Sequence, residues 1–195
     1  MSNYLNNKFL INFLSIIIIF LLDRVSKFYV ISQTEEILSS NLFTSKFLNI
    51  SLIWNEGIAF GLFSFDQSLY YNLLTLVIIL ITLIILWLML RAEGLEKISF
   101  LMIIGGSLGN LYDRINYSSV PDFIDFHISN FHWFIFNVAD IFISLGVIVL
   151  ISVEFLKIKK KMKIIVKIIR IYFFIKFFYF LKIFQHILTV LRLKL

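Results

Sequence analysis

The chain has 195 residues, 60% of them hydrophobic, with a mean hydropathy of +0.94. That composition excludes a soluble globular domain and makes a bilayer the solvent to reason from; the lack of any cysteine excludes disulfides, thiolate metal sites and cysteine nucleophiles. The net charge of +6 hides an asymmetry, because residues 155–195 hold 11 of the 18 Lys and Arg and none of the 12 Asp and Glu.

Met1 to Lys8 is a short polar leader. Phe9 to Leu22 is apolar apart from Asn12 and Ser15, and apolar character resumes at Phe28 to Ile31. No small-residue cleavage site follows, so the segment reads as a first membrane span over about 9–31 rather than a removable signal peptide. Asp23, Arg24 and Lys27 interrupt it. Asp23 and Lys27 are four apart and can pair on one helix face, which by itself describes a structural ion pair near the membrane surface. Residues 32–66 are the longest polar region, and a β element is expected over about 40–66. Leu48, Ile50, Leu52 and Trp54 recur with period two, the pattern of a half-buried strand. Asn55-Glu56-Gly57 is turn chemistry, and Ile58 to Phe63 can return as a second strand. Taken alone, Asn55 simply caps that turn.

Ser68 to Leu90 is 23 residues without a charge, a second span over about 68–90. The polar connection Arg91 to Lys97 is tight, so the next helix, about 98–116, runs antiparallel to it. In that helix Gly105 and Gly109 form a small-xxx-small pair that lets a neighbouring helix approach closely. Gly106, Asn110 and Asp113 share one helical face, and Arg114 follows. Tyr117 to Asn130 reads as a loop with the only proline, Pro121, and with Asp122 and Asp125. A fourth span is expected over about 131–153, with Trp133 at the interface and Asp140 as its one charge, roughly 14 Å from its start at about 1.5 Å per residue. Asn137, Asp140 and Ser144 again fall on one face.

The fold class is therefore an all-α membrane protein with four transmembrane helices and a small extracytoplasmic β-hairpin. Lys8, Arg91, Lys97 and the basic tail fall on one side of this arrangement, so both termini are expected in the cytoplasm. The peptide divides into a membrane domain, 1–157, and a basic-apolar cytoplasmic tail, 158–195. In the tail Lys163, Lys167 and Arg170 share a helical face, which suits a helix in the membrane interface. Asp23, Asn55, Asn110, Asp113, Arg114, Asp122, Asn137 and Asp140 then converge near the extracytoplasmic leaflet from five separate stretches.

Ionisable residues inside membrane segments are functional hypotheses by default. Two neighbouring carboxylates in low dielectric do not both ionise easily; one keeps its proton and the other acts as base, as an aspartic protease requires. Asp122 and Asp140 are the candidates, with Asn110, Asn137 and Arg114 placed to hydrogen-bond the carboxylates or a developing oxyanion. His127 and His132 lack a glycine-framed serine, and His127 with Asp122 and Asp125 makes a poor metal set; no metal or other cofactor is expected. A small proton or ion transporter would also use intramembrane Asp and Arg, but it should carry polar residues through the full membrane depth. Val147 to Val153 and Ile78 to Leu90 are almost wholly apolar. A non-catalytic scaffold with a lipid-binding tail is a third reading.

Five segments resemble the signature segments of the lipoprotein signal peptidase (signal peptidase II) family, in the family's order: Asp23 to Lys27, Asn55 to Gly61, Gly105 to Arg114, Val120 to Ile124 and Phe136 to Asp140. The resemblance covers about residues 8–157. It implies catalytic aspartates at Asp122 and Asp140, with Asn55, Asn110, Arg114 and Asn137 around them and Asp23, Lys27 and Asp113 in support. It also implies removal of the signal peptide from diacylglyceryl-modified prolipoproteins just before the lipidated cysteine, without a metal. The implied fold is four transmembrane helices with a small periplasmic β-cradle and an interfacial helix. The partners are then the lipidated precursor and membrane lipid, with no nucleic acid, and a monomer suffices. Pro121 stands where the family usually has an aliphatic residue, the segment before Asn137 lacks a common proline, and the tail beyond Lys157 is longer than the resemblance explains.

Overall fold

The structure is a computed structural model; it describes residues 2–56, 67–129 and 131–192. The element order is α1 (Ser2–Ile37), β1 (Asn41–Thr44), β2 (Leu48–Asn55), α2 (Gln67–Arg91), α3 (Gly94–Tyr117), β3 (Val120–Ile128), β4 (Phe131–Phe136) and α4 (Val138–Arg192). The chain divides into two compact units, residues 1–150 and residues 151–195. The second is the C-terminal part of α4, helical through Arg192.

Among the described residues, three helices are long and apolar enough to cross a membrane: Phe9–Ile37, Tyr71–Arg91 and Val138–Ile165. They leave much of their apolar surface uncovered, as with Leu73, Leu76, Leu80 and Ile84 of α2. Lipid tails solvate such faces as well as a protein core would. The expected third span, about 98–116, is not among them. Its helix is α3, whose glycines, amide and charges lower its hydropathy and whose surface is buried by protein, Phe100, Ile103, Ile104, Leu111 and Asp113 included. Phe100, Leu101 and Ile104 of α3 form a core with Met89 and Ala92, against which Ile16, Ile85 and Leu150 pack.

α1 stops where Leu38 takes the left-handed conformation (φ 54°), which lets the Ser39 N–H return to the Thr34 carbonyl at 3.3 Å. Gly105 and Gly106 of α3 have contacts that explain them. A Cβ on Gly105 would meet Ile19 of α1 at 2.7 Å, and one on Gly106 would meet the Ala139 carbonyl oxygen of α4 at 2.5 Å. The second contact is with backbone and has little room to yield. Gly106→Ala should cost about 1–3 kcal/mol through overpacking. It should also push back the first turn of α4, lowering turnover by about 10²-fold. Thermal unfolding and an activity assay in the same detergent check both.

The β element is larger than a hairpin. Four antiparallel strands run in the order β1-β2-β3-β4. The strand expected at Leu48 to Trp54 is β2, but its partners are β1 and β3. The return strand proposed at Ile58 to Phe63 lies outside the described residues. Two expectations are corrected here. Tyr117 to Asn130 is not a loop: Val120–Ile128 is a strand, with Asn55 opposite Val120 and Ile53 opposite Asp122. The fourth helix does not begin at Phe131, because Phe131–Phe136 is a strand paired with β3. A near-continuous apolar run does not distinguish a buried strand from the start of a helix, and this caused the second error. Pro121 precedes the β3–β4 register, which ends at Ile124 opposite Phe136, so its missing N–H interrupts no rung there. Among the described residues there is no separate interfacial helix.

Candidate active site

Asn137 lies between β4 and α4 and is completely buried. Its side-chain oxygen accepts the Asp140 backbone N–H at 3.1 Å, while its own backbone N–H donates to Asp140 Oδ2 at 3.1 Å. This reciprocal arrangement is a capping box, with Asn137 at the cap and Asp140 three residues in. Asp140 therefore sits in the first turn of α4 rather than deep within a helix that starts at Phe131. The positive end of the helix dipole favours negative charge there. Asn137, expected on the α4 face, is instead the residue that starts α4.

The Asn137 side-chain amide points the other way and donates to Asp122 Oδ1 at 2.6 Å. One residue thus touches both candidate carboxylates. Asn55, the last residue of β2, donates to Asp122 Oδ2 at 2.9 Å, and Asn110 of α3 donates to Asp140 Oδ1 at 2.8 Å. Each of the four carboxylate oxygens receives one donor here, which leaves further lone pairs for water or a substrate. Asp122 is 4% exposed and borders an open cavity of about 380 Å³ lined also by Ile53, Trp54, Asn55, Glu56 and Ile135. Burial pushes its carboxyl up from 3.8 to about 6, and the negative charge of Asp140 adds to the push. The amides of Asn55 and Asn137 and the charge of Lys27 pull partly back.

Behind Asp140 lies a buried charge cluster between α1 and α3. Asp23, Lys27 and Asp113 are 0%, 1% and 0% exposed. Lys27 Nζ donates to Asp23 at 2.9 Å, Asp113 at 2.7 Å and the Asn110 side-chain oxygen Oδ1 at 2.9 Å. Asn110 therefore joins the lysine to Asp140, accepting from one and donating to the other. Arg24 grips both oxygens of Asp113, and one of its Nη atoms also reaches Asp23 at 2.7 Å and the Gly109 carbonyl at 3.1 Å. Asp23 Oδ1 accepts the Ala139 N–H at 3.0 Å, so α1 also holds the first turn of α4. With two acids and two bases, the cluster is formally neutral, the condition for keeping it out of water.

The i, i+4 spacing correctly paired Asp23 with Lys27, and Asn110 and Asp113, expected on one helical face with Gly106, both meet Lys27. Arg24 was missed as a partner. The signal was the presence of Asp113, a second intramembrane acid with no assigned counter-charge. Arg114 behaves differently from expectation: among the described residues it bonds neither Asp122 nor Asp140. Its guanidinium lies 5.4 Å from the Tyr71 ring centre, and the Tyr71 hydroxyl donates to the Arg114 backbone carbonyl at 3.2 Å. His127 and His132 stack at 5.0 Å between ring centres and bond to Asn49 and Asp125. Among the described residues no group of three His, Cys, Asp or Glu could hold a metal ion.

Residues 15–157 match the family described as signal peptidase (SPase) II. The chain belongs to the signal peptidase II family. The lipoprotein signal peptidase of Pelagibacter ubique (strain HTCC1062) is 48% identical over 160 residues, 82% of this chain and 96% of that protein. The lipoprotein signal peptidase of Blochmanniella pennsylvanica (strain BPEN) is 43% identical over 158 residues, 78% and 91% of the two chains. A bacterial membrane enzyme solved by the in meso method at 1.9 Å resolution superposes with a TM-score of 0.61 at 27% identity, covering 73% of this chain and 90% of that one. As a member of the signal peptidase II family the chain is an aspartic-type peptidase of the bacterial inner membrane that removes signal peptides from prolipoproteins. The transporter reading finds no support.

Proposed function

We propose that Asp122 and Asp140 are the catalytic pair, and that the two acids have unequal roles. The observation that carries this is the bridge by Asn137, which holds both carboxylates through one residue. Asp140, at a helix N-terminus and linked through Asn110 to Lys27, is the carboxylate that takes a proton from the attacking water. Asp122, buried against the sheet, gives its proton to the oxygen of the scissile carbonyl. Collapse of the tetrahedral intermediate then breaks the C–N bond before the lipidated cysteine; the proton held by Asp140 passes to the leaving nitrogen, and one hydroxyl of the intermediate returns its proton to Asp122 as the carbonyl re-forms. Asn55 and Asn137 orient Asp122, and Asn110 orients Asp140. Asp23, Lys27 and Asp113, with Arg24, fix α1, α3 and α4 around the pair. Arg114 lies at the edge of the site, against Tyr71.

On this reading α3 is a fourth membrane helix, shielded by its neighbours and by paired charges. Both termini are cytoplasmic, the sheet and the site lie at the extracytoplasmic face, and the diacylglyceryl precursor enters from the bilayer. A monomer supplies every group named. The direct test is mass spectrometry of a diacylglyceryl prolipoprotein incubated with the purified protein. It should yield the mature fragment beginning at the lipidated cysteine; cleavage elsewhere, or none, overturns the reading.

Asp122 must be protonated in the free enzyme to act as the acid. Its carboxyl titrates at about 6, so kcat/KM should fall as pH rises through that value. A kcat/KM that is level or rising between pH 5 and pH 7 would reverse the assignment of acid and base.

A further inference from the structure

The peptidase reading leaves one part of the chain unused. The family match ends at residue 157, and α4 remains helical through Arg192. Twenty residues, the length a span requires, counted from the start of α4 at Val138, end at Lys157. There the sequence turns abruptly basic, with Lys157, Lys159, Lys160, Lys161 and Lys163, and Lys159, Lys163 and Lys167 are all exposed.

Lys159, Lys163, Lys167 and Arg170 recur at i, i+4, i+8 and i+11, which places them within about 80° of one another around a helix. The positions between them are Ile, Met, Val and further Lys, and Phe and Tyr dominate residues 172–180. No Asp or Glu occurs after Glu154. A basic strip alone would describe a solvated face or a nucleic-acid contact. Lys160, Lys161, Lys176 and Lys182 lie off the strip, and an all-basic segment with Ile, Leu and Phe between its charges, directly after a span, is the composition that anionic headgroups attract.

We infer that residues 158–192, the basic continuation of α4, bind anionic phospholipid at the membrane surface. The basic stripe Lys159, Lys163, Lys167 and Arg170 contacts the headgroup phosphates. The inference rests on the sequence pattern, and does not depend on which aspartate does what in the peptidase site.

The test is amide hydrogen exchange on the full-length protein in nanodiscs of phosphatidylcholine alone and of phosphatidylcholine with phosphatidylglycerol. The comparison protein has Lys159, Lys163, Lys167 and Arg170 all replaced by Gln. In the wild type, amides of 158–192 should exchange at least roughly tenfold more slowly in the phosphatidylglycerol discs, and high salt should abolish the gain. The Gln variant should lose the gain while keeping wild-type cleavage in detergent. Equal protection in both discs, or a gain that survives in the Gln variant, overturns the inference. So does protection that appears only when RNA is added to phosphatidylcholine discs, since the basic strip would then serve a nucleic acid.

Discussion

Asp140→Asn and Asp122→Asn should each reduce cleavage of a lipidated precursor by about 10³-fold while leaving the protein folded. Asparagine keeps the size and planarity of the side chain, so packing changes little. At Asp140 one oxygen remains to accept from either Asn110 or the Asn137 N–H, and the new NH₂ group faces the other donor. At Asp122 the Asn137 amide is fixed by its own oxygen, which caps α4, so the remaining oxygen of the new amide keeps that bond and its NH₂ group faces Asn55, whose side chain lies at the end of a strand. The hydrogen-bond cost is therefore modest, on the order of 1 kcal/mol. The chemical cost is large, because an amide neither takes a proton from water nor donates one as a carboxylic acid does. The double variant should be scarcely worse than either single one, as befits groups that act in one step. Measured turnover above about a tenth of wild type in either single variant, with unfolding temperature unchanged, would exclude that residue from the chemistry.

Asp113→Ala should have the largest effect on stability, about 3–5 kcal/mol. The side chain is fully buried and accepts both arms of Arg24 as well as Lys27. Its removal leaves two cations, the buried Lys27 and the mostly buried Arg24, facing one anion, Asp23. Asp113→Asn should be milder, since it keeps the shape and one acceptor. Combining Asp113→Asn with Lys27→Met restores the charge balance, and the pair should be less damaging than the sum of the single changes. Unfolding in mixed detergent micelles provides the comparison. Additive losses would mean that the charges are not coupled as their contacts imply.

Much of this site could be read from residue types and spacing. Charges are costly in apolar segments, so Asp23, Lys27, Asp113 and Asp140 stood out against their surroundings, and helical spacing placed several of them correctly. What could not be read was the boundary between strand and helix at Phe131 to Asn137. That run is apolar throughout, and only pairing with Ile124, Asp125 and His127 makes it a strand. Two consequences followed: Asp140 was placed about two turns too deep, and Asn137 was put on a helix face instead of at its cap. Pro121 and the polar residues around it disguised β3 as a loop, because the strand's regular partners lie some seventy residues earlier, in β2. The role of Arg24 was hidden for a related reason. Its partner is on another helix, and intrahelical spacing says nothing about that.

The charge cluster also has a consequence for how the protein is made. α3 carries Asp113 and Arg114 and falls short of the apolarity of the other three helices. Such residues oppose entry into the bilayer, by up to about 2.5–3.5 kcal/mol at a helix centre and by less near its end, where these two lie. On the four-span reading, α3 does not partition into lipid unaided: Arg24 and Lys27 of α1 must already be waiting there. α1, which precedes α3 in the chain, therefore serves as its insertion partner.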